Sequence, residues 1–502
     1  MHILRSSIIA LASCLISGSS FAQDTQCLRV SNFSWRTART IDPARWVDAG
    51  DVVISSQAYE RLTDVDRTFG VHPGLAESWT MSADGKEWTF KLREGVKFQD
   101  GHELTSADAA YTLRRVMNPA TTATGAKDLS ALKPENVIAK SRYELVLKSN
   151  TPFVDMPVTL AGPQFGIVPD GSTTEQLSSR TNGTGPFAIA TFDPSAARVV
   201  MTANPGYWGA GRPKMKCLEI SGITEPLSSL AAIQAGDVDI LLAANPIILP
   251  SLREDPGIGL YPGDETLPQI IMQVDKAPFN DVRVRQALKL VVDREAMAAA
   301  VTAGSGYPAN DNPAPFSSPF AFSTTPIPQD IEKAKALLAE AGQSNLAVDL
   351  YTGATDITPG ALVFAQAYKE MASLAGVTVN IQTVPADSYW ESVYMKRPMF
   401  MTYWGGLYPP YVLKNAYTTT GEANESDWKN PDFDKLVLAA ESDTNQTSRL
   451  AKFKDIGALI AKDGGVIGPV SVPRITAVRK QCSGFDPSIV SFRQAFKDVE
   501  CR

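Results

Sequence analysis

The sequence predicts an α/β protein of two or three lobes, and three observations indicate this fold class. Predicted strands alternate with predicted helices, a pattern typical of α/β proteins with largely parallel sheets. The chain has 502 residues, too many for one small domain. Hydrophobic residues make up 44% of the chain and charged residues 20%, the composition of an ordinary soluble globular protein.

Hydrophobic patterns, turns and cap residues place the elements in order. They predict strands at residues 28–33, 88–92, 143–148, 198–201, 217–220, 238–242, 348–351 and 377–384. They predict helices at residues 55–62, 105–115, 227–235, 281–291 and 331–341. Thr105 with Asp108 forms a start like a capping box, Asp330 is a cap, and Gly236 and Gly342 are typical helix ends.

The first 22 residues have the features of a signal peptide. Arg5 precedes an apolar run at residues 8–16, and residues 20–22 form a small-x-small cleavage site. We therefore expect export and a mature chain that begins near Gln23. The alternative, a lipoprotein cleavage box at Cys14, would leave only a short apolar segment before it.

Charge and motifs exclude several functions. A formal net charge of −7 without a basic run disfavours nucleic acid and anionic membranes as partners. The sequence has neither H-E-x-x-H nor G-x-S-x-G, and His72 and His102 are the only histidines of the mature chain. This scarcity of histidine argues against an exported hydrolase. We therefore predict no enzyme, no metal site and no cofactor.

The mature chain keeps four cysteines, and an even number in an exported protein predicts two disulfides. They are Cys27, Cys217, Cys482 and Cys501. Their spacing fits no zinc pattern. Four cysteines allow three pairings, which the count alone leaves open.

Residues 73–115, PGLAESWTMSADGKEWTFKLREGVKFQDGHELTSADAAYTLRR, are the most informative stretch. They resemble the marker block of the family 5 solute-binding proteins of bacterial ABC importers, relatives of the oligopeptide-, dipeptide- and nickel-binding proteins. Four later segments match the same family in the same order: TNGTGPF at 181–187, NPGYW at 204–208, AGDVDIL at 235–241 and APFNDVRVRQALKLVVDREAM at 277–297.

The resemblance implies a two-lobed periplasmic binding protein fold of class II with an extra subdomain and a venus-flytrap hinge. It implies a periplasmic monomer that takes a solute into the cleft between its lobes and presents it to an ABC permease in the inner membrane. It also favours the pairs Cys27–Cys217 and Cys482–Cys501. The implied ranges are 23–61, 181–265 and 475–502 for lobe I, 62–180 for the subdomain and 266–474 for lobe II.

The aromatic segment at residues 403–411 is the predicted specificity wall. In peptide-binding relatives, the tryptophan of this segment is followed by an acidic residue that pairs with the ligand's ammonium group. Here Leu407 takes that position. An unpaired buried ammonium costs about 3 kcal/mol or more, roughly a hundredfold in affinity. Asp387 and Glu391 are the nearest acidic residues that could substitute for the missing anchor.

The opposite end of the cleft is predicted to hold a ligand carboxylate. By resemblance, ligand contacts follow the first strand, where Arg36 or Arg39 offers a guanidinium. Gln273 takes the place of an asparagine of the family. The predicted ligand-binding set is Asn32, Ser34, Trp35, Arg36, Gln273, Trp390, Tyr403, Trp404, Gly405, Leu407 and Tyr408.

These residues predict a peptide-like or amino-acid-conjugate ligand, such as an opine, without a standard free N-terminus. Ordinary di- or oligopeptides remain an alternative. An oligosaccharide is another, with Trp35, Trp390 and Trp404 as stacking platforms. Nickel or haem capture, known among relatives, is disfavoured by the two mature histidines.

Overall fold

The structure is a computed structural model that describes residues 27–32, 40–46, 49–314, 316, 318–323, 325–354, 357–358, 360–405, 407–489, 493 and 496–502, with only the backbone of residues 386 and 387. Its strands are β1 Cys27–Asn32, β2 Thr63–Val65, β3 Val71–Pro73, β4 Ala76–Met81, β5 Glu87–Leu92, β6 Leu132–Ser141, β7 Glu144–Ser149, β8 Phe187–Asp193, β9 Arg198–Ala203, β10 Cys217–Gly222, β11 Ile240–Leu242, β12 Ile258–Met272, β13 Tyr307–Pro308, β14 Ala347–Gly353, β15 Thr378–Val384, β16 Met399–Gly405, β17 Val466–Ile467, β18 Val470–Arg479, β19 Cys482–Ser483 and β20 Glu500–Cys501.

Its helices follow the same chain order. They are α1 Ala49–Ala58, α2 Ser106–Met117, α3 Met156–Leu160, α4 Thr174–Ser179, α5 Pro226–Ala235, α6 Leu249–Glu254, α7 Val282–Leu290, α8 Arg294–Thr302, α9 Ile331–Glu340, α10 Ala361–Ser373, α11 Ala386–Ser392, α12 Pro409–Tyr417, α13 Pro431–Glu441 and α14 Gln446–Asp463.

The main sheet is mixed, and this corrects the expectation of largely parallel sheets. Its strand order is β15-β14-β16-β12-β18-β11-β1-β10-β9-β8. Parallel pairing is found for β1 with β10 and β11, and for β14 with β15 and β16. The central pairs β12–β16, β12–β18 and β11–β18 are antiparallel. The alternation rule holds for the parallel groups β15-β14-β16 and β11-β1-β10. It misses the long strands that join these groups and the antiparallel edge β10-β9-β8.

Two long strands connect the two ends of the main sheet. β12 and β18 pair from Ile258–Arg479 to Thr266–Val472, with a register shift between Pro262 and Glu265. Each therefore begins in one lobe and ends in the other, which gives the two-lobed fold with crossing strands that the resemblance implied. The residue limits of the lobes stay a prediction.

A separate antiparallel sheet, β4-β5-β7-β6, lies within the range predicted for the subdomain. Trp88, Phe90 and Leu92 on β5 are buried, as their alternation predicts. The helix α2 covers this sheet and begins at a capping box, in which the Thr105 backbone N–H donates to Asp108 at 2.8 Å.

Local sequence features, such as helix caps and glycines at helix ends, predicted the positions of most of the other elements. Asp281 and Asp330 cap α7 and α9, as predicted. Gly236 follows α5 with a φ of +84°, a left-handed conformation that suits glycine. The helix expected at residues 55–62 both starts and ends earlier, at Ala49–Ala58. Its buried residues cover almost the whole helix, so no apolar stripe marked its beginning.

Both predicted disulfides are present. Cys27–Cys217 joins the paired strands β1 and β10, and Cys482–Cys501 joins the short pair β19–β20. The first closes a separation of 190 residues and the second one of 19.

Candidate functional site

A large cavity lies between the lobes. Its volume is about 1440 Å³, a space sufficient for a solute larger than one amino acid. Its walls come from all three predicted parts of the chain. They include Trp46 and Arg493 of lobe I, Asp128 and Asp155 of the subdomain, and Tyr411 of lobe II.

The strand β16 forms one wall. Successive side chains of a strand point to opposite faces, so the aromatic segment borders two different cavities. Tyr403 lines the large cavity, whereas Trp404 lines a neighbouring cavity of about 390 Å³. Gly405 and Leu407 border both. A Cβ on Gly405 would lie 3.0 Å from Thr266 and from the Arg474 guanidinium, so a side chain there would push into the cleft wall.

Behind this wall, a buried carboxylate fixes the tryptophan. Glu425 accepts hydrogen bonds from Trp404 Nε1 at 3.2 Å and from Thr402 Oγ1 at 2.9 Å. Tyr394 is a third hydrogen-bonding partner. Burial raises the pKa of Glu425 to about 7, and these donors only partly offset that effect. The indole therefore has a fixed hydrogen-bond partner on the side away from the large cavity.

A three-residue network crosses the cleft. Asp155 of the subdomain accepts from Arg449 Nη2 at 2.5 Å and from the Tyr408 hydroxyl at 2.7 Å. Arg449 Nη1 also donates to the Tyr408 oxygen at 3.2 Å. Burial raises the pKa of Asp155, although the charge of Arg449 opposes that shift. These hydrogen bonds join the range predicted for the subdomain to the range predicted for lobe II.

Positive charge is available inside the cleft. Arg493 lines the large cavity, and its Nη1 donates to the Ala161 carbonyl at 3.2 Å. Burial, and next the neighbouring Arg61, lower the pKa of Arg493 to about 10, so it remains charged at neutral pH. Arg474 lines the same cavity and forms an ion pair with Asp264. These guanidinium groups can bind a ligand anion.

The structure brings together some of the predicted ligand-binding residues and separates others. Tyr403, Trp404, Gly405, Leu407 and Tyr408 line the two cavities.

Three predicted contacts line neither cavity. Asn32 is buried at the end of β1, and Gln273 donates to the Met395 carbonyl at 3.0 Å. Trp390 is 43% exposed and packs its edge against Tyr403 with centroids 6.0 Å apart. Glu391 is exposed and likewise outside both cavities.

Other predicted contacts fall outside the residues that the structure describes. They are Ser34, Trp35, Arg36 and the alternative Arg39, together with the side chain of Asp387.

Several residues in the cleft walls and directly behind them were not predicted from the sequence. Asp128, Asp155, Glu425, Arg449 and Arg493 lie in segments without a recognisable motif. Each meets its partners only through the tertiary fold, so neither spacing nor periodicity could have identified it. Glu425, for example, stands 21 positions beyond Trp404.

The fold and the cleft define a binding protein of the two-lobed periplasmic type. Residues 70–425 match the family described as bacterial extracellular solute-binding proteins, family 5 Middle. The chain belongs to this family, whose members are substrate-binding proteins of ABC importers and not enzymes. Within the described residues, no helix is both long and apolar enough to cross a membrane.

Two curated relatives illustrate the range of the family. The heme-binding protein A of Haemophilus influenzae is 28% identical over 505 residues, with 91% of each chain covered. The glutathione-binding protein GsiB of Escherichia coli K12 is 28% identical over 348 residues, which cover 68% of this chain and 66% of that protein.

Solved structures show the same fold at lower identity. HbpA2 from Haemophilus parasuis superposes with a TM-score of 0.79 at 24% identity, covering 95% of this chain and all of the other. The binding protein MoaA of A. tumefaciens R10, in complex with mannopinic acid, gives a TM-score of 0.76 at 23% identity with 95% and 100% coverage.

Proposed function

We propose that this chain captures a peptide-like or amino-acid-conjugate solute in the periplasm, and that the solute lacks a standard free N-terminus. An opine is one such solute. The observation that carries this proposal is the apolar side chain of Leu407, at the position that the sequence resemblance matches to the acidic amine anchor of peptide-binding relatives. It borders both cavities and offers no charge to an ammonium group.

The remaining features of the cleft fit a conjugate with carboxylates. Arg493 and Arg474 supply guanidinium groups for such anions. Tyr403 and Tyr408 add aromatic surface with hydroxyl edges, which suits a sugar or a ring attached to the amino acid. An opine complex on the same fold, that of MoaA with mannopinic acid, supports this ligand class.

The lobes capture the ligand by closure around β12 and β18. A ligand that bridges the cleft would stabilise the closed form, in which Asp155 meets Arg449 and Tyr408. The closed form is then the one that an ABC permease would accept. No group in this scheme forms or breaks a covalent bond.

The ligand class can be tested on the protein as it is isolated from cells. The protein is purified without refolding, and bound molecules are released and identified by mass spectrometry. A thermal-shift panel of opines, blocked peptides, free-amine peptides and sugars follows, because a ligand of the folded state raises the melting temperature. We expect conjugates to raise it. Recovery of ordinary free-amine peptides, or a response to sugars alone, would contradict the proposal.

A further inference from the structure

Asp128 is a cleft carboxylate of which only one oxygen accepts a hydrogen bond from a described residue. It lies in the subdomain, on a short turn at Lys127–Leu129, and lines the large cavity. Gln164 Nε2 donates to its Oδ2 at 2.7 Å, and Gln164 Oε1 in turn accepts from Trp46 Nε1 at 3.4 Å. This chain of hydrogen bonds fixes the carboxylate and leaves Oδ1 without a hydrogen-bond donor from any described residue.

The other carboxylates that line this cavity are all paired. Within the described part of the chain, each has a cationic partner: Asp155 with Arg449, Asp264 with Arg474, Glu422 with Lys127 and Glu441 with Lys414. Asp128 alone among them has no ion pair with a described residue. The cavity therefore contains one carboxylate whose charge is not balanced by a direct partner.

The groups that face Asp128 do not supply that charge. The titratable neighbours are Lys127 on its own turn, Tyr411 and Lys414 on α12, and Glu422 after that helix. Lys127 is paired with Glu422, and Lys414 with Glu441, so these four charges cancel in pairs. One negative charge remains at Asp128. Burial raises its pKa to about 6, which the Gln164 hydrogen bond and the more distant Lys414 only partly offset.

We propose that Asp128 binds a cationic nitrogen of the ligand, supplying from the subdomain side the charge that Leu407, just after β16, does not supply. This rests on the proposed function in its opine form, because an opine carries a basic linking amine. An ammonium N–H would donate to Oδ1, the free oxygen, in a charge-assisted hydrogen bond. The Tyr411 ring, which lines the same cavity, would cover the alkyl substituents of that nitrogen.

The test compares two probes that differ in one charge. Mannopinic acid has a basic secondary amine, and its N-acetyl derivative does not. Calorimetric titrations at pH 7 use the full-length mature protein, the variant Asp128→Asn and the control Glu135→Gln, an exposed glutamate on β6. The Asn side chain keeps the hydrogen bond from Gln164 and loses the charge. We expect Asp128→Asn to weaken mannopinic acid at least tenfold, to leave the acetylated probe unchanged, and Glu135→Gln to change neither.

A pH series separates binding at Asp128 from a structural role. Because the carboxylate must ionise to bind a cation, the affinity for mannopinic acid should fall as the pH drops from 7 to 5, and this fall should be absent in Asp128→Asn. Glu425 titrates in the same range in every variant, so the difference between variants isolates Asp128.

The possible results separate a failure of the Asp128 inference from a failure of the proposed ligand class. If mannopinic acid binds the wild type and Asp128→Asn equally, the Asp128 inference is wrong and the ligand class stands. If the acetylated probe loses as much affinity as mannopinic acid, the side chain acts through structure and the inference is again wrong. If the wild type binds neither probe, the opine ligand is wrong and the inference falls with it.

Discussion

Trp404 Nε1 donates a 3.2 Å hydrogen bond to Glu425, a carboxylate that is 2% exposed and has no ion pair among the described residues. Thr402 and Tyr394 complete its neutral surroundings. A buried carboxylate without a cation favours its protonated form. The wall of the smaller cavity therefore depends on a group that titrates near neutral pH.

The Glu425 environment predicts that the protein becomes less stable as the pH rises from about 4.5 to about 7. Burial raises its pKa from 4.5 to about 7, so the folded state binds this proton more tightly than the unfolded state. The free energy of unfolding should then fall by about 3 kcal/mol across this range. Replacement by glutamine removes the titration. Melting curves from pH 5 to pH 8 should show a flatter dependence for Glu425→Gln than for the wild type.

A control variant excludes general effects of charge. Glu391→Gln removes an exposed glutamate on α11 and should retain the wild-type pH dependence. If Glu425→Gln and the wild type lose stability in parallel over this range, Glu425 is ionised in the folded protein well below pH 7 and the assignment is wrong.

The two disulfides should differ in their contribution to stability. Cross-linking removes entropy from the unfolded chain, and the effect grows with the length of the closed loop. For separations of 190 and 19 residues, the contributions are about 5 and about 3 kcal/mol. The double variant Cys27→Ala/Cys217→Ala should therefore unfold at lower denaturant than Cys482→Ala/Cys501→Ala, measured by tryptophan fluorescence. The reverse order would contradict the loop-length argument.

Local chemistry made much of the fold predictable. A cap such as Asp281 or Asp330 acts on the next few backbone N–H groups, so its effect can be inferred from the sequence alone. The same holds for Gly236, whose left-handed conformation ends α5. The mixed sheet was not predictable in this way, because the pairing of β12 with β18 depends on segments about 200 residues apart.

The site was predictable only where a family motif marks it. The segment of Tyr403 and Trp404 was identified from its aromatic residues and does line the cavities. The partners of that segment were not identified. Asp155 and Arg449 are separated by 294 positions, and burial, which determines their role, has no local sequence signal.

The network across the cleft predicts that Asp155→Asn favours the open form. Arg449 is 5% exposed and would lose its counter-charge, which is strongly unfavourable while the cleft is closed. Opening allows water to solvate the guanidinium. Small-angle scattering without ligand should show a larger radius of gyration, and ligand affinity should fall about tenfold because part of the binding energy is then consumed by closure.

An exposed pair provides the matched control. Asp432 and Lys435 are 89% and 78% exposed at their side chains, and such pairs contribute little. Asp432→Asn should leave both the radius of gyration and the affinity unchanged. An unchanged radius in Asp155→Asn would show that this network does not hold the cleft closed.

The apolar residue at position 407 predicts a change of specificity on substitution. Leu407→Asp places a carboxylate beside both cavities, at the position that the sequence resemblance matches to the acidic anchor of peptide-binding relatives. We expect this variant to gain affinity for a free-amine tripeptide by about a hundredfold, the equivalent of about 3 kcal/mol.

The control variant Leu407→Asn has nearly the same shape as Leu407→Asp without the charge and should gain little. The N-acetylated tripeptide should gain affinity for neither variant, because it lacks the cation that the new carboxylate would pair with. Titration calorimetry of the two peptides against the three proteins measures this directly. Equal gains for the Asp and Asn variants would show that shape and not charge at Leu407 excludes free-amine peptides.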